Sequence, residues 1–571
     1  MDLLSYASNE AKPEIVEYLL SRNVGEANNA LQRVLVHRKA ENEFEKTVDI
    51  FLKAGAMPSD DALQVTLEKK NDTVLYKLMG CMKEPNIELK KEGTDLFKYA
   101  LQNGETKMVQ YLLDRGVDIW AADKDGKSSL QIAVNNATKN PEVFKSFKDN
   151  LKNINDTGYN GESLLMLVAE SGNFKLFKEL AESGADIWQK DKKGASVLMY
   201  AAKGGNLQII DYLVYKGDNL KSADAWGKTP LMYAAEAGQV QAVKSFIDKG
   251  MDIKDLDSYG RSAIMYAARA GKSEVVKFLL NAGESPFFAD DDKKSVLMFA
   301  AESGDAETIR ILLDQHADAM ALDKNGVSVI SYAVQSNGID AVKALVNKGV
   351  DVYVADKNGY QPIMYALKNG NAEIAEALRI DFSAVRLQVK DTGRTLPMFA
   401  VDGGNSELMG WMVHRMQRLN TVWADTADND GQNFTMLMAK YGRPDMYREL
   451  IDKAAPVCVF DKNDKTVLMY AAEAESGVNL MTTPKSCIDL DVNFKDKNGK
   501  TALMYALDCP HNLSIKVQTL LKAGAKVNIA DNNGKTVLMY AVDNQYNRVD
   551  IQGVKELLNH KVEVNARDNE G

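Results

Sequence analysis

The sequence predicts an all-α solenoid, in which short helix pairs stack side by side and a tight turn opens each pair. Two observations carry this prediction: a phrase that recurs at a constant interval, and two short amphipathic helix patterns within each copy. The composition agrees with it, because 45% of the 571 residues are hydrophobic, 26% are charged and the mean hydropathy is -0.30. Such a chain can bury a large core.

The recurring phrase opens with a tetrad of the form Asp-x-x-Gly, as in DAWGKTPLMYAAEAG from Asp224 and DSYGRSAIMYAARAG from Asp257. The copies from Gly161 to Gly359 are evenly spaced. The fourth position of the phrase falls at Gly126, Gly161, Gly194, Gly227, Gly260, Lys293, Gly326, Gly359, Gly393, Gly431, Asp464, Gly499, Gly534 and Gly571. A fixed period of this kind indicates stacked copies of one unit that cannot bury its apolar face alone.

Within one unit, the residue types predict where each helix begins and ends. The segment 224–227 predicts a tight turn in which glycine takes a positive φ. Thr229 is a suitable N-cap, Pro230 suits the first helical turn, and Gly238 predicts the end of that short helix. A second apolar pattern follows, as in Glu274–Leu280. Each unit is therefore predicted as turn, short helix, turn, longer helix and loop.

Upstream of Gly126 the pattern survives as helix pairs without the full phrase. The predicted pairs are Leu3–Asn9 with Pro13–Ser21, Asn28–His37 with Glu43–Lys53, and Asp60–Lys70 with Thr73–Lys83. A unit that begins at Thr94 and the thirteen units from Gly126 to Gly534 raise the predicted total to 17 helix pairs.

We expect these pairs to form one continuous array with four segments. Residues 1–92 are predicted as degenerate N-terminal pairs, 93–378 as regular repeats, 379–495 as irregular repeats with insertions, and 496–571 as C-terminal repeats. The irregular segment contains the longest step between copies, which includes Trp411 and Trp423, and a loop-rich stretch over Glu473–Asn493. These breaks are interpreted as local changes of curvature, and inserted functional loops are the alternative.

From about Thr94 to the end, the phrases G-x-T-x-L-x-x-A-A-x-x-G and L-L-x-x-G-A-D resemble those of the ankyrin repeat family. That family usually places His where this chain places Met in eleven units. The methionines are Met166, Met199, Met232, Met265, Met298, Met364, Met398, Met436, Met469, Met504 and Met539. Recurrence across so many units predicts that this methionine column packs between repeats, and an adaptable binding surface is the alternative.

The resemblance implies that hairpin tips and the exposed face of each first helix line a concave surface that grips a partner. The candidate partner-binding residues on that surface are Lys193, Trp226, Lys228, Glu236, Tyr259, Arg261, Arg269, Asp292, Glu302, Asn325 and Tyr360. Trp226 and Tyr259 lead this set, because they occupy the same position in adjacent copies and an aromatic side chain has no structural role at a turn tip. We expect the two rings to project side by side.

A second irregular column lies where the family usually has the Asn of A-D-V-N. Its bulky or basic members are Trp120, Trp188, Lys221, Lys254, Phe287, Met320 and Tyr353, and Asn returns at Asn493, Asn528 and Asn565. We interpret these side chains as a cover for the base of the hairpins.

Other classes of function find little support in the sequence. A net charge of -10 argues against nucleic acid as a partner, and no apolar run is long enough to span a bilayer. The five histidines lack ligand spacing, and no catalytic, cofactor or metal site is predicted. Four scattered cysteines and the absence of a recognisable signal peptide favour a cytoplasmic location, although a secreted effector is compatible.

The resemblance therefore implies a non-enzymatic interaction or scaffold protein that binds another protein through the concave surface. The alternative is the recognition array of a larger enzyme, channel, toxin or secreted effector whose active module lies outside these residues. The final phrase, VEVNARDNEG, approaches a hairpin and stops at its tip glycine. We accordingly expect the natural protein to continue beyond Gly571 with at least one more unit.

Overall fold

A computed structural model describes residues 3–4, 7, 13–23, 26–37, 42–58, 62, 66, 72–81, 97–98, 100–102, 104–114, 116–122, 126–380, 388–389, 391–418, 427–441, 459–475, 491–508, 513–542 and 551–569. The regular structure in these residues is a succession of short helices, joined by turns and isolated β-bridges. None of the helices in this part of the chain is long and apolar enough to cross a membrane.

The helices before the first complete phrase are α1 (Pro13–Ser21), α2 (Ala27–His37), α3 (Asn42–Lys53), α4 (Asp72–Cys81) and α5 (Thr106–Asp114). The central repeats contain α6 (Ser129–Asn135), α7 (Pro141–Asn150), α8 (Leu164–Ser171), α9 (Phe174–Glu182), α10 (Val197–Gly204), α11 (Leu207–Tyr215), α12 (Pro230–Ala237), α13 (Val240–Asp248), α14 (Ala263–Arg269), α15 (Ser273–Asn281), α16 (Val296–Ser303), α17 (Ala306–Asp314), α18 (Val329–Gln335), α19 (Ile339–Asn347), α20 (Pro362–Lys368) and α21 (Ala372–Ala377). The later helices are α22 (Leu396–Asp402), α23 (Ser406–Arg418), α24 (Phe434–Tyr441), α25 (Val467–Glu473), α26 (Ala502–Leu507), α27 (Leu513–Lys522), α28 (Val537–Val542) and α29 (Ile551–Leu558).

The chain divides into two compact units. The first comprises Met1–Ala234 and Gln241–Met251, and the second comprises Ala235–Val240 and Asp252–Gly571. In the first unit, α8 packs between the first helices of its two neighbours, α6 and α10. In the second unit, α16 packs in the same way between α14 and α18. Stacking of first helices is therefore the organising contact within each unit.

Small side chains permit this close stacking. Ala267 and Ala268 on α14 have no exposed surface, and neither do Ala300 and Ala301 on α16. An alanine face lets helix backbones approach more closely than larger apolar side chains would. Larger core side chains come from both helices of a repeat, such as Ile264 on α14 and Leu279 on α15, which are fully buried.

The turn that opens each repeat has the predicted conformation. Gly260 and Gly326 take φ values of 75° and 78°, a region that favours glycine. Lys293 and Asp464 occupy the same position in their own repeats and adopt φ values of 60° and 61°. Antiparallel bridges such as Ala289 with Ser295 and Leu322 with Ser328 join the two arms of a hairpin.

The methionine column has a defined structural role at the start of the first helices. The side chain of Ser295 accepts a hydrogen bond from Met298 N at 3.2 Å, and the Met298 Sδ accepts one from Ser295 N at 3.4 Å. The thioether thus takes the place that Glu or Gln occupies in a capping box. Ten of the eleven methionines are at most 1% exposed, and Met539 is partly exposed. The prediction that the column packs inside the repeats is confirmed for those ten.

The N-terminal helix predictions are confirmed where the structure describes them. Helices α1, α2, α3 and α4 begin and end close to the predicted bounds. The predicted helices Leu3–Asn9 and Asp60–Lys70 lie mostly outside the described residues. Trp423 and most of Glu473–Asn493 also lie outside them, so the interpretation of the irregular segment stays a prediction. The division of the array into four segments also stays a prediction.

Candidate protein-binding surface

Each hairpin tip is held by one aspartate. In the tetrad that begins at Asp257, Oδ1 accepts backbone hydrogen bonds from Tyr259 and Arg261, both at 2.8 Å. Asp224 binds the N–H groups of Trp226 and Lys228 in the same way, both at 2.9 Å. A short carboxylate that closes a turn in this manner fixes the backbone of the tip.

Neighbouring tips are joined through their backbones. Lys324 N donates to Asp292 O at 2.8 Å, and Lys357 N donates to Asn325 O at 2.9 Å. Both bonds link one repeat to the next within the second unit. The candidate residues Asp292 and Asn325 therefore stand on a continuous backbone ladder with their side chains exposed.

The two tip aromatics are both exposed and both carry a cation beside the ring. Trp226 is 41% exposed, and the ammonium of Lys193 lies 5.9 Å from its ring centroid. Tyr259 is 47% exposed, with the guanidinium of Arg261 at 5.0 Å from its ring centroid. Trp226 belongs to the first compact unit and Tyr259 to the second, so their side-by-side arrangement stays a prediction.

The position after the tip glycine is less available to a partner than the sequence indicated. Lys228 is 8% exposed, and its ammonium lies 4.3 Å from the ring centroid of Tyr233. The Arg261 side chain is 24% exposed and forms an ion pair with Asp290 at 3.2 Å. A long aliphatic stem lets such a cation be largely covered while its charge contacts an aromatic face or a carboxylate. Arg261 therefore helps to join its repeat to the next, whereas Lys228 contacts a ring of its own repeat.

Tyr360 occupies the same position and is also packed. Its ring centroid lies 5.6 Å from that of Tyr365 and 5.5 Å from that of Phe399 in the next repeat, the latter in an edge-on arrangement. Such pairs are favourable beyond simple burial. The contact with Phe399 thus connects the repeat of Tyr360 to the next.

The remaining candidates lie on first helices. Arg269 and Glu302 are exposed, and Glu236 is half-buried. Glu302 forms an ion pair with Lys294 at 2.7 Å. Asp292 on a neighbouring tip pairs with Lys324 at 3.3 Å, with both side chains largely in water. These exposed charges fit the polar rim of a binding surface.

The column that the sequence assigned to the base of the hairpins is exposed in the structure. Trp188 is 51% exposed, Phe287 63%, Met320 55% and Tyr353 39%. Each of these four side chains keeps a large part of its surface in water, and the interpretation that they cover the hairpin base stays a prediction. Their exposure could not be predicted from the repeat period, because the period does not determine the path of the loop.

Fixed hairpin tips that project from stacked helix pairs define a helical-repeat solenoid. A family model described as "Ankyrin repeats (3 copies)" matches residues 62–157, 130–224, 198–290, 264–356, 297–391, 330–422 and 474–568, well over half of the chain. The chain therefore belongs to the ankyrin repeat family, whose repeats generally mediate protein–protein interaction.

Two curated relatives are B-cell lymphoma 3 proteins. The homolog from Mus musculus is 29% identical over 176 residues, which are 29% of this chain and 39% of that protein. The Homo sapiens protein is 27% identical over 168 residues, which are 28% of this chain and 37% of that protein. The similarity thus spans less than half of either relative.

Proposed function

We propose that this chain is a non-enzymatic interaction or scaffold protein that binds another protein through its hairpin tips and the exposed faces of its first helices. Membership of the ankyrin repeat family supports a protein partner. The residues that the structure describes as exposed on this surface are aromatic and charged, which is the composition of a protein interface with a polar rim.

The observation that carries the proposal is the pair of exposed tip aromatics. Trp226 and Tyr259 stand on turns whose backbones are fixed by Asp224 and Asp257. A large ring held in one direction loses little conformational freedom when a partner covers it, so it can contribute strongly to affinity. The adjacent cation at Lys193 adds a means of selecting an acidic partner.

The test is affinity capture from the native source with the full chain as bait, followed by titration of the captured protein. We expect Trp226→Ala and Tyr259→Ala each to weaken binding by about 1–4 kcal/mol, or roughly fivefold to a thousandfold. Tyr215→Ala is the matched control, because Tyr215 is 88% exposed at the end of a second helix. Equal affinity of the tip variants and the wild type would contradict the proposal, and so would substrate turnover by the chain alone.

We further propose a cytoplasmic location and no nucleic acid partner. The four scattered cysteines and the net charge of -10 support these two statements respectively. Cell fractionation tests the first. A mobility-shift assay at low salt tests the second, and retention of DNA or RNA at micromolar chain would contradict it.

A further inference from the structure

The loops that lead from a second helix into the next hairpin expose apolar side chains in three consecutive repeats. We name residues 284–289, 317–322 and 350–355 the approach loops. Phe287, Met320 and Tyr353 stand at equivalent positions in them, one per repeat, with exposures of 63%, 55% and 39%. Leu322 adds a further 44% exposed side chain in the middle loop. Neighbouring exposed apolar groups of this kind mark a surface for association.

In other repeats of the chain, an asparagine at this position forms side-chain hydrogen bonds to the next loop. Asn528 Oδ1 accepts a hydrogen bond from Glu563 N at 2.8 Å, and its Nδ2 donates to Lys561 O at 3.2 Å. Asn493 makes the matching pair of bonds, with Lys526 N at 2.7 Å and Gly524 O at 3.2 Å. Asparagine therefore bridges one loop to the next with both ends of its amide.

Phe287, Met320 and Tyr353 replace that bridge with side chains that lack an amide. These side chains cannot form the two loop-to-loop hydrogen bonds that an asparagine forms at this position, and each also places a large apolar group in water. Both changes are unfavourable for the isolated chain. A partner that covers Phe287, Met320 and Tyr353 would recover the free energy that is lost by exposing these side chains to water.

The charge of the approach loops is entirely negative. They contain Glu284, Asp318 and Asp351 and no lysine or arginine. Asp318 and Asp351 are exposed, and each uses Oδ1 to accept the N–H of the apolar residue two positions on, Met320 at 2.9 Å and Tyr353 at 2.8 Å. The carboxylates are therefore held beside the apolar row, where they favour a partner with basic side chains.

The spacing of the row and the side chains in it favour a helical partner. Neighbouring helices pack about 8–10 Å apart, which sets the step from Phe287 to Met320 to Tyr353. Seven residues of an α-helix advance about 10.5 Å and return to the same face. A β-strand repeats its face every two residues, at about 6.6 Å or about 13 Å, and matches poorly. A polyproline helix repeats at about 9.3 Å but docks on aromatic-lined grooves, and the middle of this row is aliphatic.

We propose that the approach loops form a docking surface for a basic amphipathic helix of a partner protein, distinct from the hairpin tips. Phe287, Met320 and Tyr353 contact apolar side chains at heptad spacing on the helix, and Asp318 and Asp351 pair with its lysines or arginines. The proposal depends on the proposed function only in that the partner is a protein.

The probe is a fluorescent 21-residue peptide designed as an amphipathic helix. Leucine occupies every seventh position and the positions next to it, and lysine and arginine flank these leucines. Its binding to the full chain is followed by fluorescence anisotropy. The test variant is Phe287→Asn/Met320→Asn/Tyr353→Asn, which installs the bridging amide and should keep or raise the melting temperature. We expect this variant to lose at least tenfold in affinity, while Tyr215→Asn, at an 88% exposed tyrosine in the other unit, binds as the wild type does.

Two further comparisons separate the contribution of the apolar side chains from that of the charges. A scrambled peptide of the same charge should bind at least tenfold more weakly, because attraction to an acidic chain alone does not use the apolar row. Asp318→Asn/Asp351→Asn should reduce both the affinity and its dependence on salt. Equal binding of the triple variant, or of the scrambled peptide, would overturn the proposal, and tighter binding of a proline-rich basic peptide would overturn the helical partner.

The tip variants distinguish this proposal from the proposed function. Trp226→Ala and Tyr259→Ala should leave peptide affinity unchanged, since neither residue lies in the approach loops. If those variants keep the captured partner while the triple variant loses the peptide, the tip proposal fails and the docking surface stands. The reverse pattern leaves the tips as the binding surface and removes the approach loops.

Discussion

The phenol hydroxyl of Tyr266 donates a 2.6 Å hydrogen bond to Oδ2 of Asp257, nine residues earlier in the same repeat. The other carboxylate oxygen of Asp257 closes the hairpin turn through two backbone N–H groups. One aspartate thus ties the hairpin tip to the first helix. The same bond recurs in the repeats of Tyr200, Tyr233, Tyr332, Tyr365, Tyr470, Tyr505 and Tyr540.

Tyr266→Phe should loosen this connection. Asp257 is 7% exposed, so the variant leaves a buried carboxylate oxygen without its partner, which costs about 1–3 kcal/mol. We expect faster hydrogen exchange in peptides that cover 257–269. Tyr259→Phe is the matched control, because its ring is 47% exposed at the tip of the same hairpin. Identical exchange in the two variants would show that the bond contributes nothing.

We predict that the Lys294 side chain also helps to hold neighbouring repeats together. Its ammonium lies 4.7 Å from the Phe299 ring centroid, 4.2 Å from that of Tyr332 in the next repeat, and 2.7 Å from a Glu302 carboxylate oxygen. Lys294→Met keeps the aliphatic stem and removes the charge, and it should cost about 1–2 kcal/mol. Local hydrogen exchange across 295–303 and 328–335 measures this loss.

Lys324→Met provides the comparison for Lys294→Met. Lys324 pairs with Asp292 at 3.3 Å, but the two side chains are 64% and 68% exposed, so water screens the pair. We expect a change of no more than about 0.5 kcal/mol. If the two lysine variants lose the same stability, the contacts of Lys294 with the rings of Phe299 and Tyr332 carry no weight.

The regular features of the fold could be predicted because they depend on neighbours in sequence. The positive φ of Gly260 and the N-cap of Ser295 are local requirements, and residue type alone identifies them. The burial of Met298 followed from recurrence, since identical residues in successive repeats face one another. The bond from Tyr266 to Asp257 was missed, although both residue types recur nine positions apart and that spacing was a usable signal.

The candidate site was predicted less completely, because exposure depends on contacts between repeats. Trp226 and Tyr259 are exposed, as the sequence indicated. The sequence predicts Lys228 as a surface charge, but its long stem and the ring of Tyr233 allow it to be buried. The sequence predicts Phe287 as a cover of the hairpin base and does not show that the side chain is 63% exposed. Neither outcome follows from the period of the repeat.

Peroxide should oxidise the exposed methionines faster than the buried ones. Met320 is 55% exposed and Met57 is 50% exposed, whereas Met298 is fully buried. We expect peptide mass spectrometry to show rapid sulfoxide formation at Met320 and Met57 and slow formation at Met298, limited by local opening. Oxidation of Met298 should then accelerate loss of helicity, because a polar sulfoxide does not fit the packed seam. Uniform oxidation of the folded chain would contradict the buried column.

Glu284 should make the stability of its repeat depend on pH. The carboxyl is 7% exposed and accepts a 2.7 Å hydrogen bond from the Ser262 hydroxyl in the same repeat as Asp257. Burial raises the pKa of Glu284 above its ordinary value of 4.5, while Ser262 and Lys254 oppose that rise. The folded chain therefore holds this proton more tightly than the unfolded chain does. The stability it contributes is present below pH 4.5 and is lost as the pH rises through the raised pKa.

Glu284→Gln removes the charge, keeps the shape and retains an oxygen that can accept the Ser262 hydrogen bond. We expect the variant to be more stable than the wild type at neutral pH, with the difference shrinking as the pH falls toward 4.5, the ordinary pKa of the group. Glu284→Ala, the residue that stands at the equivalent Ala317, should show the same flattening of the pH profile. Hydrogen exchange of 262–269 at a series of pH values, corrected for intrinsic rates, measures the difference. A pH profile shared by the wild type and both variants would mean that Glu284 is ionised in the folded chain without penalty.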